Sequence, residues 1–230
     1  MDAAIVVITR NRPYRLGSLL RRIYEIEGPI TTVIVDNASM PVARAHYKFP
    51  DKLPIRYLRL RRNLFSMSRE IGIKILKNNV IFFFDDDVLP EKPFVKETLS
   101  LFERDDSLGL VTFCVYDVRR KRELTQNLIK NPRHFAEAAF AVRYEAWERA
   151  GGFPNYTPCR GFGGEFALRL VRKGYHLLYY PNIRVLHVSG RHPAGQSWRH
   201  KVWYMPAWLG FFLRHFGFPL LTVFWIRVLA

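Results

Sequence analysis

Asn79-Val80-Ile81-Phe82-Phe83-Phe84-Asp85-Asp86-Asp87-Val88-Leu89-Pro90 carries an apolar run straight into three adjacent carboxylates. The run is short, has no helical period and is bounded by turn chemistry, which reads as a buried strand of a parallel sheet. Ligands of open α/β sheets collect beyond the carboxyl ends of the strands. Three neighbouring carboxylates repel one another unless something screens them. A hard divalent cation with oxygen ligands, bridging to a phosphate, would neutralise them. The same residues also read as a solvated acidic turn, with Asp87 capping a helix that follows Pro90. The flanking sequence weighs between the two.

Toward the N-terminus, Ala3 to Thr9 is a β-branched, apolar strand closed by Thr9-Arg10-Asn11-Arg12-Pro13. Asn11 suits a helix cap and Pro13 a first turn. Leu16, Leu19, Leu20 and Ile23 then recur at helical spacing until Gly28-Pro29. Ile30 to Val35 is a second strand ending in Asp36-Asn37, which completes a βαβ unit. Leu53 to Leu60 alternates as a third strand, followed by a helix through Ile71 and Ile75. With the Phe82 strand and a helix over about 91–102, the first hundred residues predict a doubly wound, mostly parallel α/β sheet.

Further on, Leu108 to Val118 reads as a strand and Arg119-Arg120-Lys121-Arg122 as a solvated basic loop. Ala136 to Val142 predicts a strand near the sheet centre, and Tyr144 to Ala150 a short helix stopped by Gly151-Gly152. The glycine-rich stretch from Tyr156 to Gly164 resembles a lid, and Glu165 to Lys173 a helix. His176 to Tyr180 and Ile183 to Val188 read as two strands split by Pro181.

The chain has 230 residues and a formal charge of +16, which points to an anionic partner. From Phe166 to Ala230 there are nine Lys or Arg, five His and no acid. Cys114 and Cys159 have neither metal-site nor disulfide-framework spacing. The start lacks a basic region and a signal-length apolar run, so the sequons at Asn37 and Asn155 read as chance. Residues 198–230 form a hydrophobic, aromatic and basic segment read as helical, interrupted by Pro206 and Pro219. Its apolar runs fall short of the roughly 20 residues that span a bilayer. Aromatics interleaved with Arg and Lys suit a membrane interface, a helical pair packed on the domain, or an oligomer contact.

Several segments resemble family-2 glycosyltransferases with the Rossmann-like GT-A fold. They are Val7-Ile8-Thr9-Arg10-Asn11-Arg12-Pro13, Ile34-Val35-Asp36-Asn37-Ala38-Ser39, the stretch Asn63 to Ile73 around Arg69, and Phe84-Asp85-Asp86-Asp87 as a DxD motif. Ala139-Phe140-Ala141-Val142 with Gly151-Gly152-Phe153, then Arg169, Gly174-Tyr175, Pro181 and His187, resemble the closing pattern. The resemblance covers about residues 3–190. It implies one transferase domain over 1–197, with a donor half over 1–107 and an acceptor half over 108–197, followed by the 198–230 segment.

The resemblance also implies roles. Thr9, Arg10, Asn11, Arg12, Asp36, Asn63, Arg69, Asp85, Asp86 and Arg191 would bind the donor nucleotide, with Asp36 accepting hydrogen bonds from base or ribose. Arg191 and His192 would close over the diphosphate as donors. Asp87 and His187 would hold Mg²⁺ or Mn²⁺, a Lewis acid toward the leaving diphosphate. A carboxylate on the opposite face would deprotonate the acceptor hydroxyl, with inversion at the anomeric carbon. The family's acidic pair falls here on Phe162 and Gly163, which leaves Glu165 as base or as a helix cap favoured by the dipole. The family's Asn beside Arg69 is Glu70 here, and a family Gly is Phe65.

The implied partners are a UDP-, dTDP- or GDP-linked sugar and a glycan, lipid-linked or small-molecule acceptor. The implied place is cytoplasmic, peripheral on the inner face of the membrane through 198–230. A nucleotidyltransferase would need a Gly-rich basic loop after the first strand, and 9–13 contains no glycine. A non-catalytic nucleic-acid-binding protein would interleave aromatics with basic residues on an exposed surface. Here the aromatics lie mostly in apolar runs, which disfavours nucleic acid. A catalytically dead transferase is the further alternative.

Overall fold

The computed structural model describes residues 1–40, 42, 54–125, 135–154 and 162–188. Along these the chain forms β1 (Ala3–Thr9), α1 (Pro13–Glu27), β2 (Thr32–Asp36), β3 (Ile55–Arg59) and a 3₁₀ turn (Phe65–Met67). Then come α2 (Ser68–Lys74), β4 (Val80–Asp85), β5 (Val88–Pro90), α3 (Val95–Arg104), β6 (Leu108–Asp117) and β7 (Arg122–Glu123). The described chain closes with β8 (Ala139–Arg143), α4 (Tyr144–Arg149), α5 (Phe162–Arg172) and β9 (His176–His187). The segment 198–230, the lid stretch up to Gly161, and the expected donor-side Arg191 with His192 lie outside the described residues.

One sheet runs β3-β2-β1-β4-β8-β6-β9-β5, with β7 paired to β6. The strands from β3 through β4 are parallel neighbours, and β6 is parallel to β9. β8, expected near the sheet centre, lies between β4 and β6 and is antiparallel to both. The sheet is continuous across residues 107–108, so the expected donor and acceptor halves share it.

The strands are apolar on both faces because both faces are covered. Ile81 and Phe83 of β4 point into one core with Val6, Phe140 and Phe166. Phe82 and Phe84 point into the other with Leu16, Leu19, Ile23 and Phe102. All four β4 residues are essentially fully buried. α2 lies very close to β1, since a Cβ on Gly72 would stand 2.5 Å from Val6 Cγ1. Among the described residues, no helix is long and apolar enough to cross a membrane.

Four local expectations are corrected. Asp87 does not cap the next helix, because β5 intervenes and α3 starts at Val95. The amides of Phe94, at the N-cap position of α3, and of Val95 donate instead to Glu27 Oε1 on α1. Asn11 is not the α1 cap, since Arg12 stands there without a side-chain cap and Asn11 Oδ1 accepts from Met40 N at 2.8 Å. Gly163 and Gly164 belong to helix α5 rather than to a loop. β9 is one strand through Pro181, whose missing N–H is absorbed where the register jumps from Phe113↔Tyr180 to Cys114↔Arg184.

Candidate active site

Four strand ends carry candidate residues, three of which meet in one cleft. Thr9 ends β1, Asp36 ends β2, Asp85 ends β4, and His187 ends β9. Short β5 then turns the chain back so that Val88 pairs with His187, and Val188 N donates to Asp87 O at 2.8 Å. That pairing is what sets Asp87 beside His187. Asp85 N donates to Ala138 O at 3.0 Å, which draws the residues before β8 to the same edge.

The result is a cleft of about 830 Å³. Its lining includes Thr9, Arg10, Arg12, Asn63, Arg69, Asp85, Asp86, Asp87 and His187, all singled out from sequence. It also includes Asn37, Phe65, Ser66, Asp117, Arg119, Arg120 and Glu137. Of these, Asp117 carried a readable signal, a carboxylate at the end of an apolar strand like Asp36 and Asp85. Arg119 and Arg120 are exposed, as a solvated loop predicts, yet they face the cleft. Glu137 had no sequence signal, because only the pairing of β8 with β4 brings it to the site.

The acidic triplet is held by a fan of donors. Thr9 Oγ1 donates to Asp86 Oδ2 at 2.7 Å. Arg12 Nη1 donates to Asp86 Oδ1 and Asp87 Oδ2, each at 2.9 Å, and Arg15 Nη1 stands 3.6 Å from Asp87. Arg69, 4% exposed, donates through Nη2 to Asp85 Oδ1 and to Glu137 O. Burial, followed by the charges of Asp87, Asp86 and Glu137, pushes the Asp85 carboxyl up to about 7 against the lowering by Arg69. Burial also raises Asp86, opposed by Arg12 and Thr9. On the facing strand, the backbone N–H of Arg120 holds the Asp117 carboxyl below its ordinary range, opposed by burial and aided by the Arg120 charge.

Asp87 and His187 suit a divalent ion. His187 Nε2 is 3.6 Å from Asp87 Oδ1, and His187 Nδ1 is buried with no hydrogen-bond partner among the described residues. Among those residues no group of three or more His, Cys, Asp or Glu closes a cage. An ion such as Mg²⁺ completes its shell with water and substrate phosphates, so two protein ligands fit.

Three expected site residues stand elsewhere. Asp36 is buried outside the lining, where Oδ1 accepts from Ser39 N at 2.8 Å and Oδ2 from Tyr57 OH. Asn11 braces the same loop, its N–H donating to Ser39 Oγ at 2.9 Å. Glu165 is 0% exposed, and its Oε1 accepts from Arg169 Nε and Nη2 at 3.0 and 2.6 Å. Glu165 is therefore held on Arg169 and is not among the residues that line the cleft. Glu70, where the family has Asn, accepts from Trp147 Nε1 and Phe153 N and ties α2 to α4 rather than facing the cleft.

Comparison with known proteins gives consistent findings. Residues 4–160 match the model of glycosyl transferase family 2. Over 116 residues the chain is 28% identical to a hyaluronan synthase of Pasteurella multocida, covering 47% of this chain and 12% of that protein. Its fold is similar to that of the mannosyltransferase PcManGT from Pyrobaculum calidifontis, solved with GDP-Man and Mn²⁺. The TM-score is 0.67 at 20% identity, over 86% of this chain and 59% of that one. It is also similar to S. aureus TarS 1–349 solved with UDP-GlcNAc, with a TM-score of 0.69 at 15% identity, over 85% and 61%. The chain thus spans about 60% of these solved relatives and a small part of the hyaluronan synthase, and its described residues have the GT-A fold.

Proposed function

The chain belongs to glycosyl transferase family 2, and from that membership and the cleft we propose that it moves a sugar from a nucleoside-diphosphate sugar to an acceptor hydroxyl with inversion. One observation carries the reading. Three consecutive carboxylates meet Thr9, Arg12, Arg69 and His187 in a single cleft at the strand ends. The donor half, 1–107, supplies the nucleotide end through Asn37, Asn63, Ser66 and Phe65, and the residues after 108 shape the acceptor side.

In this reading Asp87 and His187 hold Mg²⁺ or Mn²⁺, which would supply positive charge to the leaving diphosphate. Arg10, Arg12, Arg119 and Arg120 line the same space and add charge-assisted donors for phosphate oxygens. Asp85, tied to Arg69, keeps that guanidinium oriented at the cleft floor. Thr9 and Arg12 fix Asp86, so its role is to hold the loop after β1 against the triplet. Asp36, Asn11 and Ser39 shape the wall behind the nucleoside. The attack is direct, so an inverting displacement needs a base on the face opposite the diphosphate. The acceptor belongs to the glycan, lipid-linked or small-molecule class, with 198–230 as a contact to a membrane surface.

The test is calorimetric titration of UDP, dTDP and GDP, with and without Mn²⁺, into wild type and Asp87→Ala. Mn²⁺-dependent binding of one nucleotide, lost in D87A, is expected. Absence of binding by any nucleotide under either condition sinks the reading.

A further inference from the structure

We propose that Glu137 is the general base that accepts the acceptor's proton, an assignment that rests on the transferase reading above. The family resemblance implies an acidic pair where α5 here begins with Phe162 and Gly163. The structure puts another carboxylate there. Glu137 Oε1 accepts from Gly163 N at 3.0 Å. A Cβ built on Gly163 would stand 3.2 Å from Glu137 Oε1 and 3.3 Å from its Cγ. The bare glycine and the reaching glutamate are therefore one arrangement, in which residue 137 fills the space a side chain at 163 would enter.

Glu137 also lines the cleft and is framed against the donor wall. Its own carbonyl accepts from Arg69 Nη2 at 3.0 Å, and the next carbonyl, of Ala138, accepts from Asp85 N. Glu165 is buried on Arg169. Of the cleft carboxylates among the described residues, Glu137 is the one hydrogen-bonded to the start of α5.

The step balances without a further reagent. The acceptor O–H proton passes to a carboxylate oxygen of Glu137 as the acceptor oxygen bonds to the anomeric carbon. The anomeric C–O bond to the β-phosphate breaks, and its electron pair leaves with the nucleoside diphosphate. Glu137 then returns the proton to solvent.

The alternative role is a cap for α5, and Glu137→Gln separates the two, since Gln keeps an oxygen for Gly163 N–H but is not a base. The full chain is assayed with Mn²⁺ and UDP-GlcNAc, GDP-mannose and dTDP-glucose, with water as acceptor, reading released nucleoside diphosphate. E137Q is expected to lower kcat by about a hundredfold or more, to leave donor KM and calorimetric nucleotide affinity within about threefold, and to lose the acidic limb of the pH–rate profile. Glu137→Ala combined with Gly163→Asp returns a carboxylate to the same space and is expected to recover at least tenfold over E137A.

Turnover of E137Q within about threefold of wild type overturns the assignment and leaves Glu137 a cap. Failure of the relocated carboxylate to recover rate also counts against it, as does a donor that wild type binds without turning over. Wild type that binds no nucleotide sinks the transferase reading itself and this assignment with it.

Discussion

Phe65 sits at the cleft rim with φ +51, a region that a Cβ disfavours, and its side chain is 40% exposed. Asn63 Oδ1 accepts from its N–H, and its carbonyl accepts from Asn37 Nδ2, so neighbouring side chains hold the strained backbone in place. The sequence resemblance expects Gly at this position, and the dihedral supplies the reason. Phe65→Gly is expected to be about 1 kcal/mol more stable than Phe65→Ala in urea unfolding, the reverse of the order at an ordinary position. Equal stability, or Ala ahead, would show that residue 65 carries no strain. Asp85 makes a different residue-scale claim. Its folded carboxyl titrates at about 7, well above the ordinary carboxylate range. The folded state then keeps a proton that the unfolded chain releases, so this group's contribution falls as pH rises from about 4 to about 7 and is level beyond. In chelator-treated, nucleotide-free protein, urea midpoints should show that decline in wild type and a flatter profile in Asp85→Asn. Parallel profiles would rule the shift out.

Element by element, legibility followed from whether one strand or a pair of strands carried the information. β4 was readable because both its faces are covered, which leaves an apolar run with no period. The end of β1, the Asp36 terminus and the triplet were readable for the same reason, since polar residues stop apolar runs at the ligand-binding edge. β9 was misread as two strands because Pro181 looks like a break, and only the shifted register on β6 shows how the sheet absorbs it. Glu137 was invisible because its position depends on β8 pairing with β4 across more than fifty residues of sequence. Glu165 was misplaced because helical spacing puts it four residues from Arg169, and that ion pair, not the cleft, claims its carboxylate. α2 offers a test of element packing. Ala is the better helix former by about 1 kcal/mol, yet Gly72→Ala forces a Cβ to within 2.5 Å of Val6. The clash is expected to win, with a net loss of about 1–3 kcal/mol in urea unfolding. A stabilised G72A would mean that α2 rides higher over β1 than described.

At the scale of the whole molecule, the excess of positive charge is not spread evenly around the candidate site. Arg10, Arg12, Arg69, Arg119 and Arg120 converge on one cleft that also holds five carboxylates and His187. A cleft with that balance is poised for a polyanion that arrives with a cation, because either one alone leaves like charges facing each other. Nucleotide and Mn²⁺ should therefore stabilise the fold together by more than the sum of their separate effects. With each held about a hundredfold above its dissociation constant, a single coupled site adds about 2.7 kcal/mol. For a domain of this size about 2–4 °C per kcal/mol applies, so a rise in Tm of about 5–10 °C is expected. Asp87→Ala should abolish the joint shift, since it removes the carboxylate beside His187, while leaving the two apolar cores intact. Raising salt should shrink the part of the shift due to the exposed Arg119 and Arg120 more than the part due to buried Arg69, because only exposed charges are well screened. Additive shifts from nucleotide and metal, or an undiminished joint shift in D87A, would place the two ligands at separate sites and break the link between the triplet and the diphosphate.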